Sequence, residues 1–284
     1  MSAHRRRLPR RQRLTLTAIA GVTALALTFA GMSSAFGAYS KPSKIKPTVV
    51  LVHGAFADAS GWNAEIGTLR RLGYPVVAAA NPLRGLTSDA DYVRALLQSI
   101  SGPIVLVGHS YGGAVITNAA RGVPNVRALV YIGAFLPDQG ESIATTPDPA
   151  TYPSLLGPGT TQVRPVPNAA AVGGTDLDLT IKPEDFRSVF AGDVPAPTAE
   201  LMAIEQRPLA LTAYTETSGA PSWRALPTWD LITLDDQAIN PAGQRFMAER
   251  AHARVQTVHS SHAVMVSHPD AVTRIVLAAI AGTD

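Results

Sequence analysis

Apolar residues in this chain follow two regimes. From residue 48 onward, short unbroken apolar runs rich in β-branched residues recur at Thr48–His53, Val76–Ala79, Ile104–Val107, Ala128–Ile132, Leu231–Leu234 and Val255–Val258. Runs without polar alternation suit strands buried on both faces, as in a parallel sheet. Between them apolar residues recur at helical spacing, over Trp62–Leu72, Ala90–Ile100, Ala114–Arg121, Ala242–Ala251 and Ala271–Ala281. Strands alternating with helices predict βαβ units, and therefore an α/β domain with a mostly parallel sheet covered by helices on both faces.

The alternation breaks between about 138 and 227, a stretch dense in Pro, Gly and Thr. A structureless loop of that length does not fit a compact domain. The stretch is therefore expected to form an inserted cap over one end of the sheet, with short helices near Pro183–Phe190 and Ala199–Glu205.

The first forty residues obey neither pattern. Arg5, Arg6, Arg7, Arg10, Arg11 and Arg13 form a basic head, Leu14 to Ala30 is apolar or small, and Ser33, Ala35, Gly37 and Ala38 follow. Head, apolar run and small-residue exit predict a signal peptide over 1–37 for a secreted protein, exported by the general route or, given Arg10-Arg11, the twin-arginine route. The apolar run only approaches the length of a bilayer span, so a cleaved leader without stable membrane association is expected. Residues 38–47 (AYSKPSKIKP) read as a flexible leader ahead of a single large domain over 48–284.

Charge is reinterpreted by that boundary. The chain has 24 Lys and Arg against 21 Asp and Glu, but six arginines and no acid lie in residues 1–37. The remainder carries 18 basic and 21 acidic groups, a net −3, so the basic balance belongs to the leader and is no sign of nucleic-acid binding. The absence of cysteine excludes disulfides, Cys-ligated zinc and a Cys nucleophile.

The strongest chemical signal is Gly108-His109-Ser110-Tyr111-Gly112-Gly113, placed between an apolar strand and a helical pattern. This is G-x-S-x-G in a strand-to-helix turn, which presents Ser110 as a nucleophile at the carboxyl end of a sheet. A serine hydroxyl needs a base, and in such an arrangement the base comes from a loop after the last strand. His262 is favoured by position over His259, which abuts the strand end, and His268, which precedes Pro269. His53 and His109 are expected to shape the site from other loops. A third group must orient the imidazole, and Asp235 and Asp236 both lie just past a strand; spacing alone does not separate them. For the oxyanion, the Tyr111 N–H is one expected donor and the Ala55 N–H, after Gly54, the other, with Phe56 in reserve.

Together these residues resemble the α/β-hydrolase superfamily across 48–284. The finer pattern resembles the branch of plant methyl-ester esterases, hydroxynitrile lyases and bacterial pyrethroid-type carboxylesterases, through LVHGAFADASGW (51–62), VGHSYGG (107–113), YIGAFLPDQGES (131–142), TLDDQAINPAGQRFMAER (233–250) and SSHAVMVSHPDAV (260–272). The resemblance implies Ser110 as nucleophile, His262 as base, Ala55 and Tyr111 as oxyanion donors, and favours Asp236. Lyases of the branch resemble one another in a lysine directly after the histidine; this chain has Ala263 there, which favours hydrolysis. The expected activity is cleavage of a small-molecule carboxylic ester, without metal or organic cofactor. A carbon–carbon lyase, a perhydrolase and a low-turnover binding protein are the alternatives. Tyr152, Phe186, Phe190, Tyr214 and Trp223 either line a pocket or form the cap's own core, and Trp62 is expected to pack rather than bind.

Overall fold

The computed structural model describes residues 45–168 and 172–283. The leader expected over 1–37, and most of 38–47, lie outside the described residues. Residues 44–284 form one compact unit.

Six strands, β1 (Thr48–Val52), β2 (Val76–Ala79), β3 (Ile104–His109), β4 (Val126–Ile132), β8 (Thr228–Thr233) and β9 (Arg254–Val258), make a parallel sheet in the order β2-β1-β3-β4-β8-β9. Its four central strands are almost entirely buried, whereas the edge strand β9 keeps several residues exposed. This is why the central strands read as unbroken apolar runs: both faces are covered. Val50, Val52, Leu106 and Leu129 share one cluster with residues of α2 (Leu86–Gln98), α3 (Tyr111–Ala119) and α7 (Pro241–Arg250). Val49, Leu51, Val105 and Val130 share the other with α1 (Asn63–Arg71), α8 (Val264–Ser267) and α9 (Pro269–Ala281). Each fully buried Val, Leu or Ile on these faces contributes roughly 1.5–3 kcal/mol relative to exposure.

The strand order reverses beside β1: the chain passes from β1 to β2 on one side and returns to β3 on the other. The helices that follow β1 and β3 pack on opposite faces of the sheet, and the carboxyl ends of strands at such a reversal are the usual place for a ligand in an open α/β sheet. Gly54-Ala55 leaves β1 there and Ser110 leaves β3.

Between β4 and β8 the chain builds the cap. The expected helices are present as α4 (Pro183–Phe190) and α5 (Ala196–Ile204), with a short α6 (Leu211–Thr215). The sequence reading missed a three-stranded antiparallel sheet, β5 (Thr161–Pro167), β6 (Thr175–Ile181) and β7 (Leu209–Ala210). This sheet is tied to the main domain: Arg84 pairs with Asp178 at 2.5 Å and donates to the Pro208 carbonyl at 2.7 Å, while the Ala210 N–H donates to the Leu83 carbonyl at 3.0 Å. Among the described residues no helix is long and apolar enough to cross a membrane.

Candidate active site

β3 runs into α3 with one residue between them, Ser110, at φ 55° and ψ −125°. A non-glycine residue in that region costs about 1–3 kcal/mol and persists only where its surroundings hold it. They do so here by close approach. A Cβ on Gly112 would lie 2.5 Å from the Val52 carbonyl oxygen, and one on Gly54 would lie 2.5 Å from the Ser110 Cβ. Glycine at these two positions lets the loops after β1 and β3 touch. The Ser110 carbonyl accepts from the Gly113 and Phe135 N–H groups at 2.9 and 3.2 Å, completing the turn.

The turn aims Ser110 at His262, whose Nε2 is 2.8 Å from the serine Oγ. The imidazole Nδ1 is 2.7 Å from Asp236 Oδ2. All three residues are buried, with His262 1% and Asp236 2% exposed. Asp236 also receives Thr233 Oγ1 (2.8 Å) and Gln244 Nε2 (3.0 Å) on Oδ2, and the Ala238 and Ile239 N–H groups (2.8 and 2.9 Å) on Oδ1. Every polar neighbour donates, which suits an acceptor-only carboxylate and leaves His262 as the donor at Nδ1. In that tautomer Nε2 is free to accept the serine proton.

The other candidates stand elsewhere. Asp235 points outward, 3.4 Å from the exposed His259, and His268 lies at the start of α9, 3.4 Å from Asp193. The Phe56 N–H donates to the Arg207 carbonyl at 3.0 Å, which removes it as an oxyanion donor and leaves Ala55 on that loop. Ala55 and Tyr111 both border the cavity in front of Ser110, with Tyr111 opening α3, where peptide dipoles favour negative charge.

His53 and His109 shape the site as neutral rings. Burial is the main cause holding both below the usual histidine range, and for His109 the neighbouring His262 adds to it. His109 Nε2 donates to the His262 carbonyl at 3.0 Å, and its ring stands 4.6 Å from the His262 ring. His53 Nδ1 donates to the Gly54 carbonyl at 2.9 Å while its Nε2 accepts from the Asn81 N–H at 3.2 Å, which fixes the loop after β1.

The cavity in front of Ser110 has a volume of about 310 Å³. One wall is a register row across the cap sheet, in which Val163 of β5 faces Leu179 of β6 and Leu179 faces Leu209 of β7. Phe135, Ile143 and Leu156 close the rest. The Tyr111 hydroxyl is taken up, donating to Asp89 at 2.8 Å. Among the described residues no charged side chain lines this space.

Of the five aromatics weighed as lining, only Tyr214 reaches the cavity. Phe186 stacks on Phe190, Phe190 stands edge-on to His262, Tyr152 stacks on Phe246, and the Trp223 indole donates to the Pro137 carbonyl. Trp62 is fully buried with its ring edge-on to His109. The lining residues Val163, Leu179 and Leu209 escaped the sequence reading, although the alternation of 175–181 (TDLDLTI) carries the period of two that marks a half-buried strand. Thr233 and Gln244, the supports of Asp236, gave no local signal. Among the described residues no group of three or more His, Asp or Glu is placed to hold a metal ion.

Known proteins share this architecture. An α/β hydrolase of Aspergillus novofumigatus, nvfD, is 24% identical over 82% of this chain and 96% of its own length. The pyrethroid hydrolase of Sphingobium wenxiniae is 29% identical over 78% of this chain and 83% of its own. The crystal structure of polyneuridine aldehyde esterase superposes with a TM-score of 0.67 at 19% identity, covering 82% of this chain and 99% of that one; at that identity the likeness speaks for the fold. The model of the α/β hydrolase family matches residues 49–275, from the first strand of the parallel sheet into its last helix, and the chain belongs to that family.

Proposed function

We propose that this protein is a serine esterase that cleaves an uncharged, largely apolar carboxylic ester through an acyl-enzyme. The observation that carries the reading is the buried relay of Asp236, His262 and Ser110, with contacts of 2.7 and 2.8 Å, opening onto an apolar cavity. Ser110 Oγ attacks the acyl carbon while His262 Nε2 takes its proton. The carbonyl oxygen gains negative charge and is held by the Ala55 and Tyr111 N–H groups. His262 then passes the proton to the departing alkoxide, an alcohol leaves, and the acyl group stays on Ser110. Water, deprotonated by the same imidazole, attacks the acyl carbon and releases the acid.

The cavity supports the substrate class. Its volume lies near the lower end of small-molecule sites, about 300–1,000 Å³, and no side chain among the described residues of its wall balances a substrate charge. The names of two relatives, a pyrethroid hydrolase and a methylesterase, support ester cleavage. The Arg-rich head and apolar run of residues 1–37 support an exported enzyme that acts outside the cytoplasm.

The test is release of p-nitrophenol from p-nitrophenyl acetate. The enzyme is expected to give a burst equal to its own concentration followed by steady turnover, and Ser110→Ala to lose both while keeping its fold. Folded protein that releases alcohol from no short-chain ester would overturn the reading.

A further inference from the structure

His262 sits in the loop between β9 and α8, so its imidazole is only as well placed as that loop. The main domain supplies two holds: the Asp235 N–H donates to the Ser260 carbonyl at 3.1 Å, and His109 Nε2 donates to the His262 carbonyl at 3.0 Å. Beyond these and the contacts of the imidazole with Asp236 and Ser110, the cap adds its own holds, from 190–193 at and just after the end of α4. The Phe190 ring is edge-on to the imidazole with centroids 4.8 Å apart, and the Phe190 carbonyl accepts the Ala263 N–H at 2.9 Å. On the other side, the Ser261 hydroxyl donates to the Asp193 carboxylate. The backbone is thus pinned one residue before and one residue after the histidine.

Asp193 has no part in the relay and does not line the cavity. Burial works against its charge, yet the neighbouring serines, with the Ser261 hydroxyl foremost, outweigh that and hold its carboxyl below the usual carboxylate range. His268 lies 3.4 Å away on its other side. A carboxylate that accepts a hydroxyl from the residue beside the imidazole holds the loop that carries both.

We propose that Asp193 is a positioning residue: through Ser261 it clamps the loop bearing His262 against the cap, and so sets the register of that histidine with Ser110. The inference rests on the reading of His262 as the base. It makes the cap part of the rate as well as of the specificity, because movement of the segment 190–193 reaches the imidazole directly.

Two measurements on the full-length protein test it: steady-state hydrolysis of p-nitrophenyl acetate, and amide hydrogen exchange of the segment 259–266 by mass spectrometry. A misplacement of 1 Å can cost roughly a hundredfold in rate, so Asp193→Ala, a partial release, is expected to lower kcat about tenfold with KM changed by less than about twofold. Exchange over 259–266 is expected to speed up by about the same factor while the rest of the chain is unaffected. Asp193→Asn keeps the acceptor for Ser261 and is expected to recover most of both. Ser261→Ala should reproduce the loss, and adding Asp193→Ala to it should change little, as members of one contact are not additive. Wild-type kcat and wild-type exchange in folded Asp193→Ala, or in Ser261→Ala should the first variant not fold, would overturn the clamp. So would Asp193→Asn as impaired as Asp193→Ala. A wild-type enzyme without esterase activity would overturn the esterase reading alone, since the exchange arm still decides the clamp.

Discussion

The carboxyl edge of the parallel sheet and the sheet of the cap meet at Ser110 but are built on opposite terms. At the sheet edge, β1, β3 and β8 are buried along their whole length, and the loops leaving β1 and β3 are locked by contacts a single methyl group would break. In the cap, β5 is exposed over most of its length and contributes to the cavity chiefly with Thr161 and Val163. In the proposed reaction, one region fixes where atoms react and the other decides which atoms arrive. Changes in the first are expected to act on turnover or on the fold; changes in the second, on choice of substrate.

The largest effect is expected at Asp236. All its lone pairs face donors: two main-chain N–H groups on Oδ1, and Thr233, Gln244 and His262 on Oδ2. Asp236→Asn must turn an NH2 group toward one set. Facing the two main-chain donors it is repelled, so it turns toward His262, donates to Nδ1, and forces the imidazole proton onto Nε2, where it faces Ser110. The base is then lost, and kcat is expected to fall about 10⁴-fold, as a wrong tautomer does in such a relay. Ester hydrolysis measured beside circular dichroism checks it; a tenfold loss or less would mean that Asp236 does not set the tautomer.

The same core holds a carboxyl treated in the opposite way. Glu65 in α1 is fully buried, its oxygens meet no hydrogen-bond donor of another residue among the described residues, and burial pushes it up to about 8. In the unfolded chain it ionises near its ordinary value of 4.5, while in the folded protein it stays protonated up to about 8. Unfolding therefore releases a proton between these values, and stability falls as pH rises through that window, by on the order of 3 kcal/mol at pH 7. Glu65→Gln is neutral throughout. The stability of wild type relative to this variant, from urea unfolding at pH 5 and pH 7, is expected to drop by about 2.5 kcal/mol between the two, since at pH 5 part of the difference is already lost. Asp230, also buried and pushed up, is common to both proteins and cancels in the comparison. A difference that stays constant with pH would show that Glu65 is not held neutral.

The two regions also differ in how far their sequence betrays them. Ser110 was legible because the sharp turn needs glycines at fixed offsets, and His262 because the fold delivers a base from one late loop. Asp235 and Asp236 were not separable by spacing; the choice depends on Thr233 and Gln244, and Gln244 comes from the following helix. The cap sheet stayed hidden for a physical reason. β5 contains Pro165 and Pro167 and is mostly exposed, so it lacks both the donors and the apolar alternation of a typical strand. Its partners are set by register across the cap, Val163 with Leu179 and Leu179 with Leu209, and local periodicity does not carry pairing over such separations.

The smallest expected effect is the one that isolates the cap. Val163 is 59% exposed yet forms part of the cavity wall, so its side chain can grow without straining a core. Val163→Trp is expected to leave stability within about 0.5 kcal/mol, as for other surface positions. The indole narrows the far part of the cavity beside Leu179, while the space next to Ser110, Ala55 and Tyr111 is untouched. Against p-nitrophenyl esters of increasing acyl length, kcat/KM is expected to hold for acetate and to fall about tenfold for chains long enough to reach the cap sheet, a difference of roughly 1.4 kcal/mol in transition-state binding. An equal loss on acetate would mean that the cap sheet also tunes the reacting groups, and the division between the two regions would then run inside the cap, between the segment 190–193 that grips His262 and the strands that face the substrate.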